Sequence, residues 1–167
     1  MESLTALMQS LEALPLAMKI HQTPWLFTTI EVIHVIAISL VIGTIAIVDL
    51  RLLGVASTGR PFAELARGVL PYTWAAFAVA AIAGSLLFIS RATEYFVNPT
   101  YLIKMGLIVV AGINMLIFEL ITARGVQAWN LKPVPPMPAR LAGGISLTCW
   151  ILVIVFGRWT GFAITPQ

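Results

Sequence analysis

Two ionisable side chains, Glu31 and His34, stand inside an apolar run, Thr23 to Leu53, that is long enough to cross a bilayer. A hydrocarbon core takes about 20 apolar residues as a helix, and between Trp25 and Val48 only these two can carry charge. An ionisable group at that depth costs several kcal/mol unless it is paired or ligated, so its presence points to a task. At 100° per residue Glu31 and His34 share one helix face, with Phe27, Ile38 and Val41 beside them. That face is expected to look inward.

A second apolar run, Tyr101 to Ile121, carries Lys104 and Asn114. With a rise of 1.5 Å per residue from Pro24 and Pro99, Glu31 falls roughly 10 Å deep, His34 roughly 15 Å, Lys104 roughly 8 Å and Asn114 roughly 22 Å. Glu31 and Lys104 are therefore at depths where an ion pair would join the first and third spans, and Glu31, Lys104 and Asn114 are read as a buried polar network. Such a pair adds little net stability, but losing one partner would strand a charge.

The chemistry open to His34 is that of a ligand. Neutral imidazole binds haem iron, and a helix bundle can open a slot for a flat macrocycle. The bland alternative is a hydrogen bond to a neighbour's backbone or to Glu31. The chain has one other histidine, His21, which lies 13 residues away, about 20 Å along a continuous helix. The two can flank one haem only if the chain breaks sharply at Thr23 and Pro24; otherwise the second histidine comes from another protomer. Arg91 and Arg158 end the second and fourth spans on the side nearer His34. They either snorkel to headgroups or hold haem propionates, since guanidinium matches carboxylate bidentately.

The elements that must position these groups are helices. With 59% hydrophobic residues and 10% charged ones, the 167-residue chain is not an ordinary soluble domain. An all-α, polytopic membrane fold is expected, a bundle of four transmembrane helices over residues 23–167, with spans near 25–48, 71–90, 101–122 and 141–157. Residues 1–22 form an amphipathic interfacial helix, with Leu4, Leu7, Met8, Leu11 and Leu14 on one side. Glu2 comes first and Lys19 last, the reverse of a secretory leader, so this segment is expected to be retained. The second span, rich in Ala, Gly and Ser, is read as tightly packed. Before it, Glu64 to Leu70 reads as a short helix of its own, beginning near Pro61. Gln127 to Arg140 holds four of ten prolines and reads as a loop, partly polyproline.

Arg51, Arg60, Arg67, Arg124, Lys132 and Arg140 fall on one side, against Lys19, Arg91 and Arg158 on the other. The charge bias puts the long loops in the cytoplasm and both termini outside. The basic residues are scattered, so no nucleic-acid partner is implied. Cys149 is alone, which excludes an internal disulfide and a cysteine-only cluster. No nucleophile elbow, Walker loop or dinucleotide fingerprint occurs, and hydrolytic chemistry has no support.

Glu31 with the stretch Ile30 to Gly43, Asp49-Leu50-Arg51-Leu52-Leu53-Gly54, Asn98-Pro99 and the helix of Lys104 and Asn114 together resemble an uncharacterised bacterial family of small four-helix membrane proteins. The histidine of the first span and the lysine of the third are more distantly similar to membrane-bound protoporphyrinogen oxidase, and the helix arrangement is similar to copper-resistance D-type proteins and b-type cytochromes. The distant resemblance implies a haem b on His34, with Lys104 near its edge or near the substrate; Asn114 stands where a further histidine would be sought. Two functions are expected to compete. One is a haem-dependent membrane oxidoreductase or electron-transfer protein working within the bilayer, with a quinone or a redox protein as partner and homo-oligomers where one chain supplies too few ligands. The other is a non-redox small-solute or ion carrier, or an accessory subunit, using Glu31, His34 and Lys104 as a polar relay.

Overall fold

The computed structural model describes residues 2–164, and all regular structure among them is helical. Two short helices, α1 (Glu2–Glu12) and α2 (Pro15–Gln22), precede α3 (Pro24–Leu53) and α4 (Phe62–Ser90). A short α5 (Ala92–Val97) leads into α6 (Pro99–Ile117), which continues as a π-turn, Phe118–Thr122, and a 3₁₀ segment, Ala123–Ala128; α7 (Met137–Ile164) follows. Four segments, Pro24–Leu53, Phe62–Ser90, Pro99–Ala128 and Met137–Phe162, are long and apolar enough to cross a membrane. The chain is thus compatible with a multi-pass membrane protein.

The packing order across the bundle is α4, α3, α7, α6: α3 packs on both α4 and α7, α6 packs on α7, and α4 and α6 lack extensive packing on each other. Small residues set the α3–α7 crossing. A Cβ at Gly143 would stand 2.8 Å from the Leu52 Cβ and 2.9 Å from the Asp49 carbonyl oxygen, so only glycine permits this approach.

One end of the bundle carries α1, α2 and α5. Here Ala17 and Ile20 are buried, and the Glu12 carboxylate accepts from the Thr93 N–H at 2.8 Å and the Thr93 hydroxyl at 2.7 Å. The N-terminal segment is therefore two short helices, α1 and α2, packed on this end of the bundle. Asn98 caps α6, accepting from the N–H groups of Thr100 and Tyr101, and Phe88 stacks on Tyr101 with centroids 5.6 Å apart. Thr160 of α7 meets Thr100 here, so α1 and the end of α7 share one end of the bundle. The chain termini, Met1 and residues 165–167, lie outside the described residues, and with them the expected outside placement of both ends.

The other end is closed by the two long connections. Asn130 serves both: its carbonyl accepts from Phe62 N–H at 3.0 Å and its side chain from Ala63 N–H at 2.8 Å. That satisfies the first turn of α4 and lets the helix begin nine residues before Pro71, inside what was expected to be a polar loop with a separate short helix. Pro71 then sits within the helix rather than at its start. Arg51, expected among the cytoplasmic loop charges, is 0% exposed. Its guanidinium donates to the carbonyls of Arg60 at 3.1 Å, Asn130 at 3.3 Å and Lys132 at 3.1 Å, tying both loops to the end of α3. Gly54 ends α3 in the left-handed region, φ 75°, with the Pro133 carbonyl oxygen 3.3 Å from where a Cβ would be.

Candidate functional site

His34 is seated against α4. Its Nδ1 lies 2.8 Å from the Ala80 carbonyl oxygen. A carbonyl only accepts, so Nδ1 carries the proton, and in the neutral ring Nε2 keeps its lone pair. Gly84, one turn beyond Ala80, makes this seat: a Cβ there would stand 2.8 Å from Cε1, 3.2 Å from Nδ1 and 3.7 Å from Nε2. The ring fills the notch of a missing side chain, with Nε2 the farthest of the three atoms from the glycine. An orienting hydrogen bond on one nitrogen, with the other left basic, is the arrangement of ligating histidines. The same bond also satisfies a histidine that does nothing further.

Lys104 of α6 lies close enough for its charge to act on His34. Its ammonium sits over the Tyr101 ring at 4.9 Å, and its stem runs past Gly157 of α7, where a Cβ would be 3.5 Å from Cδ. The expected ion pair with Glu31 is not formed: among the described residues no ion pair links the two, and Glu31 is exposed on the bundle surface. The reason is rotational. His34 takes the inward position against Gly84, and Glu31, though near it on the helix face, turns toward the rim, where its charge acts on Tyr95. Tyr95, on α5 and outside the four apolar helices, has its phenol pushed above the ordinary range by burial; Arg91 opposes this, and Glu31 and Glu94 reinforce it.

The remaining candidates disperse. The chain does break at Thr23, with φ −117° and ψ 92°, but His21 is exposed and lines a separate recess with Glu12, Ser90 and Arg91. Ser90 is six residues past Gly84, about 9 Å along α4, so His21 and His34 do not face one site. Arg91 lies 3.6 Å from Glu94 and over the Phe27 ring at 5.3 Å. Arg158 is exposed, with its guanidinium 4.6 Å from the centre of Phe162. Asn114 does not join Lys104: its amide donates to the Ala142 carbonyl at 2.9 Å, bonding α6 to α7 farther down the bundle. Among the described residues no three His, Cys, Asp or Glu converge as a metal ion would need.

Sequence reasoning missed Asp49. It entered only as the first residue of the Asp49 to Gly54 stretch, yet it is 3% exposed, with one carboxylate oxygen toward Ser146 and the other, Oδ2, without a hydrogen-bond partner. It lines a cavity of about 740 Å³ that runs from Phe77 and Trp150 to Phe62 and Phe118. The signal available was its charge at the end of an apolar span, which topology counting of Lys and Arg passes over.

Neither the curated proteins nor the solved structures yield a match. A family model does match residues 22–163, which takes in all four apolar helices and leaves out α1 and most of α2. The chain belongs to DUF6644, a family of unknown function.

Proposed function

We propose that the chain is a membrane redox protein in which His34 is the axial ligand of a b-type haem. The observation that carries this reading is the Nδ1 hydrogen bond to Ala80 above the Gly84 notch, which fixes the tautomer and leaves Nε2 as the donor. A haem would supply one-electron chemistry within the bilayer, passing electrons between a lipid-soluble carrier and a partner protein. The donor set fits one axial bond from this chain. Lys104, not a second imidazole, is the nearby basic group, and its cation would favour the more negative state of whatever His34 holds. A second histidine ligand would come from another copy. Arg158, exposed at the rim, and Arg91, beside Glu94, are the side chains available for propionates.

The competing relay of Glu31, His34 and Lys104 has less support, because Glu31 is exposed and, among the described residues, makes no ion pair with Lys104. The test is an absorption spectrum of detergent-purified protein, oxidised and dithionite-reduced, with a pyridine haemochrome assay. A Soret band with sharp reduced α and β bands, lost in His34→Ala, is the expected result. Colourless protein from haem-replete cells, or wild-type haem content in the variant, would remove the assignment and turn attention to carrier assays in proteoliposomes.

A further inference from the structure

The cavity lined by Asp49 has the properties of a binding site for a small molecule dissolved in the membrane. Its volume, about 740 Å³, is within the roughly 300–1,000 Å³ of small-molecule pockets. Because α4 packs on α3 and α6 on α7 without extensive packing of α4 on α6, its side lies between two membrane-crossing helices. Access is therefore from the lipid. Its ends are aromatic: Phe77 meets Trp150 edge-on at 6.4 Å at one, and Phe62 meets Phe118 at 5.8 Å at the other. Where α6 walls it, the helix passes into the π-turn that begins at Phe118, a local widening frequent at functional sites.

The polar group inside identifies the head of the occupant. Asp49 lines this space, nearly all of its surface is buried, and Oδ2 has no hydrogen-bond partner. In its ionised form Oδ2 only accepts, and leaving it unmatched away from water is costly, so a ligand that brings a donor satisfies it. A phosphate headgroup would bring negative charge to negative charge. A flat ring bearing a hydroxyl meets both demands, stacking on the aromatic side chains and donating to Oδ2. We infer that this cavity is a binding site for a membrane-dissolved hydroquinone, its ring between the aromatic ends and its hydroxyl donating to Asp49.

The site lies one turn from the His34 seat, since Phe77 precedes Ala80 by three residues, but it shares no side chain with that seat. It stands or falls independently of the haem. The experiment measures partition of radiolabelled decyl hydroquinone, kept reduced, between nanodiscs carrying the protein and empty nanodiscs. One saturable site per chain is expected. Asp49→Leu should weaken it at least tenfold, and Ala111→Phe, which fills the cavity from α6, should abolish it. The dimethyl ether of the same compound, which has no donor, should bind at least tenfold more weakly than the hydroquinone. No saturable binding, equal binding of hydroquinone and ether, or wild-type affinity in Asp49→Leu would overturn the inference. If Asp49→Leu does not fold, the ether comparison and Ala111→Phe decide it. Colourless protein that binds the hydroquinone would sink the haem reading and uphold this one.

Discussion

Gly84 and His34 are fitted to each other: the imidazole occupies the space where any other residue at 84 would place its Cβ, 2.8 Å from Cε1. Whatever His34 does depends on a position with no side chain of its own. Gly84 is also four residues after Ala80, so its missing side chain leaves the Ala80 carbonyl open to the ring.

Gly84→Ala should therefore displace the imidazole and break its bond to Ala80. With His-specific ¹⁵N labelling, the wild-type protein in nanodiscs should show the Nδ1-protonated tautomer, and the variant should lose that pattern. Overpacking of this kind costs about 1–3 kcal/mol. An unchanged tautomer in Gly84→Ala would mean that the ring is not held by this seat.

Arg51→Met keeps an unbranched apolar stem and removes the charge, leaving the Arg60 and Lys132 carbonyls without this donor while the Asn130 carbonyl keeps the Phe62 N–H. A carbonyl left without a donor away from water costs roughly 1–3 kcal/mol. The thermal midpoint in detergent should fall by several degrees, and protease should cut the 129–136 connection sooner. Wild-type stability would show that water replaces the guanidinium there.

Glu12→Ala removes the acceptor that Thr93 uses for both its N–H and its hydroxyl. Residues 1–22 should then be released as a unit, read as limited proteolysis near Ala13 while the four long helices stay intact. The expected cost is about 1–3 kcal/mol of docking, because the lost bonds are charge-assisted. Simultaneous loss of α3 to α7 would show that the docked helices hold the bundle together.

The Tyr95 phenol titrates above its ordinary value of about 10 in the folded state. A raised folded-state value means that the neutral form is favoured by folding. This contribution is complete below the unfolded value and is lost as pH rises through the folded one. Stability should therefore fall on the alkaline side, above about pH 10, and Tyr95→Phe should flatten that limb without changing behaviour at neutral pH. An identical alkaline limb in the variant would assign the loss to other groups.

The four-span helical architecture was legible because apolar length alone marks a candidate membrane helix. What failed was whatever depends on a partner distant in sequence. Pro71 reads as a helix start until Asn130 is known to cap Phe62 and Ala63. Arg51 reads as a loop charge until the carbonyls that surround it are in place. Depth along a helix axis put Glu31 and Lys104 at one level, but depth is blind to rotation, and rotation was decided by Gly84. His34 as an inward residue followed from the cost of burying it. Asp49 as a cavity residue depended on α4 and α6 standing apart, which no local pattern records.

The Arg51 latch also constrains biosynthesis. The Asn130 carbonyl that it binds is encoded 79 residues later, so at about 5–20 residues per second the guanidinium waits roughly 4–16 s for that acceptor. Until then the guanidinium has only the Arg60 carbonyl of its three acceptors. Dehydration of Arg51, and with it the closing of this end, is a late event in assembly. A ribosome stalled before Asn130 would leave the chain unlatched.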